Sequence, residues 1–356
     1  MAKNRNQNLD ALKGVAILLV MLGHCIVLNQ MEDGIIYDAI KSIQMPMFMI
    51  ASGFTVGMVK RIGNMQLLAN KISKRAIAYL VPFFSWLLIL HWNQLPKIII
   101  AILFQLDRGL WFLMVLFILT TIMYLALAVR DMTPLKTPGF FMVWGIASAL
   151  ILYQYRSGNT FLSPHLTVYY MPFYFLGYIL YQCYRFHDIQ MWRKGKGIRK
   201  TEPTKRDRII MLASAFAACC VFAVLIVQKD MIIAANTFEL LLQMTASLCG
   251  CYLCIILVRM LPDGKVKKGL AFVGNYTLEI YVIHYHFAQI LGMADKNLSL
   301  YTLQGAGVIL LTFLIMCVLT AVSIWLLKQL WITDLLLFGK RKARLLKWQN
   351  QSQIES

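Results

Sequence analysis

Charge is scarce in this chain. Of its 356 residues 14% are charged, acids are outnumbered by bases 16 to 35, and 59% are apolar. One soluble core does not need so much apolar surface, which excludes a water-soluble globular protein and points to a polytopic membrane protein. Long hydrophilic stretches are missing as well. The longest, residues 183–208, reads as a basic loop, and the tail after Phe338 is short and basic. No soluble domain is therefore expected, and the chemistry belongs inside the helical bundle or at its rim. The first apolar run has no small-residue cleavage site before the next span, so it is expected to stay as an anchor rather than leave as a signal peptide. The chain also lacks an internal repeat, and it lacks paired Gly or Pro breaks in corresponding halves, both of which mark many transporters. Its eight cysteines form no ligand pairs. Cys249, Cys251 and Cys254 point in different directions from one helix, and small packing residues are the expected role rather than a metal site.

Stretches of roughly 17 to 25 apolar residues are what a bilayer requires of a spanning helix. They occur at 12–28, 43–59, 76–92, 110–129, 139–153, 166–181, 209–227, 238–258, 270–291 and 303–327. Residues 96–106 are too short to cross and read as an interfacial or re-entrant piece. The expected fold is thus all-α, a transmembrane bundle of about ten helices. With both termini cytoplasmic, 29 of the 35 basic residues fall inside, as the positive-inside rule asks. That topology and anionic lipid explain the net charge of +19 without nucleic acid. The division expected is a membrane domain at 1–338 and a cytoplasmic tail at 339–356, in the inner (cytoplasmic) cell membrane.

Within the first span Lys13 and His24 stand eleven residues apart. At ~100° per residue both project from one face, with their Cα atoms ~16 Å apart along the axis. An ionisable side chain at the depth of His24 is costly to keep, and its default reading is a functional site facing the protein interior.

Asn8-Leu9-Asp10-Ala11-Leu12-Lys13-Gly14, followed by Gly23-His24, resembles the opening signature of the acyltransferase 3 family of integral membrane enzymes. Four further stretches agree in type and order. Met45 to Phe54 resembles the second helix with its proline and closing Ser-Gly-aromatic, and Lys71 to Pro82 resembles the basic start of the third. Leu110-Trp111-Phe112-Leu113 resembles a Trp-Phe-Leu stretch, and Asn275 to His284 a late helix ending in Tyr-x-x-His. Two positions depart from the family pattern. Gln44 stands where a His commonly precedes Met-Pro, and Arg75-x-x-Ala78 stands where Arg-x-x-Arg is usual.

The resemblance implies transfer of an acyl group, most often acetyl from cytoplasmic acetyl-CoA as co-substrate, to a hydroxyl of a surface polysaccharide or lipid-linked sugar. An acyl-CoA is a polyanionic nucleotide on a thin arm ending in a thioester, and the arm is of the order of the ~16 Å between Lys13 and His24. The nucleotide is expected at the cytoplasmic rim near Lys13, Lys71, Lys74 and Arg75. The thioester then arrives near His24, which acts either as general base on the acceptor hydroxyl or as an acyl-histidine relay. A backbone amide, Ser52 or Asn275 is a candidate oxyanion donor. Asp10, one turn before Lys13, either orients that lysine or favours the helix N-terminus. On the ninth span, spacing puts Thr277, Tyr281 and His284 on one face and Asn275, Glu279 and His286 on another. Interhelical hydrogen bonding or a site explains either stripe, and the resemblance favours Tyr281 and His284 as the site-facing pair. Trp111 is either an aromatic-belt anchor or a sugar platform. The competing function is a transporter or flippase of an acylated metabolite or glycan, in which buried His and Glu relay protons.

Overall fold

The computed structural model describes residues 6–31, 34–106, 109–193, 205–228, 233, 236–290 and 298–340. Among them are thirteen α-helices and no strand: α1 (Gln7–Leu28), α2 (Ile35–Gly57), α3 (Met65–Leu90), α4 (Leu95–Phe104), α5 (Trp111–Met132), α6 (Lys136–Arg156), α7 (Pro164–Arg193), α8 (Lys205–Gln228), α9 (Thr237–Met260), α10 (Lys265–Gly274), α11 (Thr277–Ile290), α12 (Leu303–Leu327) and α13 (Trp331–Phe338). Seven of these, α1, α3, α5, α6, α8, α9 and α12, are long and apolar enough to cross a membrane. The other three expected spans fall on α2, on α7 and on the pair α10–α11.

Asparagine starts three of the long helices. The side chains of Asn6, Asn64 and Asn236 accept from the backbone N–H groups of Leu9, Leu67 and Phe238 at 3.3, 2.8 and 2.9 Å, satisfying donors that have no partner in a first turn. Pro46, Pro82 and Pro172 lie inside α2, α3 and α7, and each helix continues through its proline. Membrane helices tolerate the missing backbone donor where neighbouring groups re-satisfy the freed carbonyl.

Two expectations need correction. The span at 270–291 is two helices, because α10 stops at Gly274 and Asn275 caps it: the Asn275 N–H donates to the Phe272 carbonyl and the Tyr276 N–H to that of Val273, both at 3.0 Å. Gly followed by Asn is a recognised helix stop, and an average over an apolar window does not register it. The basic stretch at 183–208 is not loop throughout: α7 runs on to Arg193 and α8 opens at Lys205, with 194–204 outside the described residues. At the start of the expected tail, Gly339 (φ +62°) lies where a Cβ would stand 2.6 Å from the Ala78 Cα. Residues 341–356 of that tail are outside the described residues. The short piece expected at 96–106 is α4, at ten residues too short to span.

The chain forms two compact units. The first comprises Met1–Lys60, Val168–Thr277 and Tyr285–Cys317. Within it α1 packs along α10 and α2, and α9 packs on α8 and α2. Backbones meet closely where side chains are missing. A Cβ on Gly14 would stand 2.0 Å from the Leu270 carbonyl oxygen, and one on Gly274 would stand 1.8 Å from that of Asp10. Likewise Gly53 faces the Tyr174 carbonyl and Gly177 faces that of Ile50, which joins α2 to α7. Such small-residue contacts drive helix association where lipid removes the hydrophobic incentive.

The second unit comprises Arg61–Thr167, Leu278–His284 and Val318–Ser356. Here α5 packs on α3 and α6, and α13 packs on α3. Within their own units, α6, α8 and α12 expose large apolar side chains, among them Phe141, Ile146 and Leu150, Ile209, Phe216 and Val224, and Leu310, Val318 and Trp325. Faces of this kind suit hydrocarbon rather than water.

Replacing Gly274 with Ala forces a methyl into the Asp10 carbonyl. We expect a loss of about 1–3 kcal/mol, the usual range for overpacking, read as a lower thermal midpoint of the purified protein. Gly145→Ala, which would meet nothing within 4 Å, should leave that midpoint unchanged.

Candidate active site

The residues singled out by sequence divide between the units. In the first, Asp10 on α1 is 6% exposed, and its carbonyl lies against Gly274 of α10. One turn on, the half-buried Lys13 ammonium donates to Thr55 Oγ1 of α2 at 3.5 Å, while that hydroxyl donates to the Ala51 carbonyl at 2.8 Å. The contact is long for a hydrogen bond. α1 continues unbroken to His24, so the ~16 Å expected of an ideal helix applies to this pair. His24 is half-buried, and its ring meets the Tyr285 ring edge-on, with centroids 5.1 Å apart. Beside it, the Gln44 Oε1 is 3.0 Å from where a Gly23 Cβ would stand. That oxygen is buried and has no hydrogen-bond partner among the described residues, and the same holds for Asn275 Oδ1. Ser52 is half-buried on α2.

In the second unit α3 presents a cationic turn. Arg75 Nε donates to Tyr124 Oη at 3.1 Å and a second guanidinium nitrogen donates to Tyr79 Oη at 3.3 Å, with the guanidinium carbon 5.9 Å from the Tyr79 ring centroid. Two phenols therefore hold the fork of Arg75 in one orientation. Lys71 is half-buried and Lys74 exposed on the same helix.

Tyr281 and His284 of α11 lie together, ring centroids 6.2 Å apart. Tyr281 Oη accepts from the Phe112 N–H at 3.4 Å, and its ring meets the Phe112 ring at 5.4 Å. Trp111 in turn meets Phe112 edge-on at 6.1 Å. His284 is 1% exposed, and its Nδ1 donates to the Ile280 carbonyl 2.7 Å away. That bond puts the proton on Nδ1 and leaves Nε2 as the nitrogen able to accept one.

Glu279 differs most from its expected setting. The stop at Gly274 takes Asn275 off the helix that carries Glu279 and His286, so the three do not form one stripe. Glu279 is fully buried, and its Oε1 receives the ammonium groups of Lys328, at 3.1 Å, and of Lys340. Lys328 also contacts Asp334 Oδ1 at 2.9 Å. Burial disfavours the charge on Lys328, but Asp334 and Glu279 outweigh it and hold the ammonium above its ordinary range. Sequence reasoning missed Lys328, Asp334 and Lys340 because the pairs to Glu279 span 49 and 61 residues, and no local periodicity links them. Thr55, Tyr124 and Tyr285 were missed for the same reason.

No group of three or more His, Cys, Asp or Glu side chains able to hold a metal occurs among the described residues. Seven apolar, membrane-length helices, with His24 and Arg75 half-buried on α1 and α3 and Tyr124 buried on α5, define an integral membrane protein. The chain belongs to the acyltransferase 3 family, whose sequence model, described as an acyltransferase domain, matches residues 6–328. Neither a curated protein nor a solved structure matches it.

Tyr281→Phe removes the acceptor of the Phe112 N–H. A cost of about 1 kcal/mol is expected for one hydrogen bond, visible as a lower thermal midpoint of the purified protein.

Proposed function

We propose that the protein is an O-acetyltransferase of the inner cell membrane. It takes acetyl from cytoplasmic acetyl-CoA and delivers it to a hydroxyl of a cell-surface polysaccharide or lipid-linked sugar. The observation that carries the reading is α1, a single helix inside the family match, with an ammonium near one end and a half-buried histidine three turns on. Lys13 binds a phosphate of the donor, and the pantetheine arm runs along α1 toward His24. Lys71, Lys74 and the tyrosine-braced Arg75 are further cations of the type that bind phosphate, with Arg75 suited to two-point contact.

At the thioester, the acceptor hydroxyl oxygen attacks the carbonyl carbon while His24 takes its proton. The carbon–sulfur bond then breaks, and the proton passes from the imidazole to the leaving thiolate, giving the ester and free coenzyme A. Asp10 orients Lys13 from one turn away. In the first unit Ser52 and Asn275 are substrate contacts; in the second, Tyr281 and His284 are a phenol–imidazole pair of catalytic type and Trp111 is a sugar platform. Both chain ends lie in the cytoplasm, which puts the donor-binding lysine on the side where acetyl-CoA is made.

Two outcomes test the reading. Membranes supplied with labelled acetyl-CoA should acetylate the glycan fraction, and His24→Ala at equal protein level should lower the rate by about 10²–10⁴, the usual worth of general-base catalysis. Normal acetylation by that variant, or movement of a glycan without consumption of acetyl-CoA, would remove the mechanism. Lys13→Met should raise KM for acetyl-CoA by about tenfold to a hundredfold, the equivalent of one charge-assisted contact, in a steady-state titration of the donor.

A further inference from the structure

Residues 329–340 lie beyond the stretch matched by the family model, yet they are firmly built into their unit. Phe338 is fully buried, and Leu337 and Asp334 nearly so. On one side this strap is fixed to α3. Trp86 Nε1 donates to the Leu337 carbonyl at 3.2 Å, and Gly339, in a left-handed conformation, lies directly on the backbone of Ile77 and Ala78. On the other side it is fixed to α11, where Lys340 contacts the buried Glu279, and Lys328 bridges Glu279 and Asp334. The Lys340 N–H also bonds the Asp334 carbonyl at 3.0 Å, which aims the lysine.

The two helices gripped are the two that carry the chemistry of this unit. Arg75 is one turn before Ala78 on α3, and Tyr281 and His284 follow Glu279 by two and five residues on α11. Two lysines and two carboxylates balance in charge, but stability alone is a weak reason for such a cluster. Desolvating buried ions cancels most of their attraction, and apolar side chains of equal volume stabilise a core as well or better. What a charged cluster contributes and an apolar one does not is register: opposite charges that must stay paired hold the strap and α11 in one arrangement.

We infer that this strap is a positioning clamp for acyl transfer, in which Lys340, acting through Glu279, sets where α11 holds Tyr281 and His284 relative to Arg75 on α3. The inference rests on the function proposed above. Lys340 touches neither donor nor acceptor in this scheme; it is a positioning residue whose effect reaches the reaction through a helix.

The test uses the full-length protein, purified, with labelled acetyl-CoA and turnover expressed per folded molecule from the monodisperse fraction. Removing one partner of a buried pair strands a charge and can unfold the protein, so Lys340→Met is paired with the double variant Glu279→Gln, Lys340→Met, which strands no carboxylate. Both should turn over about tenfold to a hundredfold more slowly, the scale of a small misplacement of reacting groups. KM for acetyl-CoA should stay within about twofold, because binding is not what the clamp supplies. Lys340→Arg should restore turnover. Wild-type turnover per folded molecule in both methionine-containing variants overturns the inference, as does a loss that arginine does not restore. If the wild type transfers no acetyl group, the functional reading fails and takes the inference with it; an active wild type with unaffected variants sinks the inference alone.

Discussion

A bilayer interior offers no water to hydrogen-bond, so every polar group carried into it must find its partner inside the protein. That constraint organises most of the polar detail in this chain. The hydroxyls of Thr55, Ser148, Thr245 and Thr312 each donate to the carbonyl one turn earlier in their own helix, at 2.7 to 2.8 Å. His284 Nδ1 does the same toward Ile280. Satisfied in this way, they can sit at depth without a second helix. Against that background the amide oxygens of Gln44 and Asn275 differ, since both are buried without a partner among the described residues. Orphaned acceptors of this sort are rare in native proteins.

The same absence of water explains how α1 is held. Apolar side chains gain nothing by leaving lipid for one another, so association depends on close backbone approach. Gly14 against Leu270 and Gly274 against Asp10 provide it. The approach also terminates α10 at the level of Asp10, one turn from Lys13. A packing contact thus sets the surroundings of the cationic end of α1, while the contacts of Gly23 with Gln44 and of His24 with Tyr285 set those at the imidazole end. Charge is treated differently in the second unit. Glu279 is kept in a dry setting by two ammonium groups rather than by helix carbonyls, and the segment that brings them is anchored at a glycine only because a left-handed turn is needed there.

Much of the fold was legible from composition and run length. Nine of the ten apolar runs emerge as one helix each and the tenth, at 270–291, as two; the short piece at 96–106 is a short helix, and α1 carries Lys13 and His24 without a break, because a helix satisfies its own backbone and needs no distant partner to be specified in lipid. The family, too, was readable from five short stretches in order. Less legible were features decided by a single residue inside an apolar window. Asn275 and Glu279 were placed on one face by counting, and the stop at Gly274 separates them; nothing in a periodicity of 3.6 residues records where a neighbouring backbone comes within contact distance.

Residue by residue, then, the chain itself determined that it is helical, that it suits a membrane, and that an ammonium and an imidazole stand eleven residues apart on its first helix, since these depend on local geometry and on the cost of burying polar atoms. Tertiary structure decided the rest. It paired Arg75 with Tyr79 and Tyr124, set Tyr281 on the Phe112 amide, and brought Lys328 and Lys340 to Glu279 across 49 and 61 residues. Those partnerships arise when separate helices are laid side by side, and no interval counted along one helix contains them.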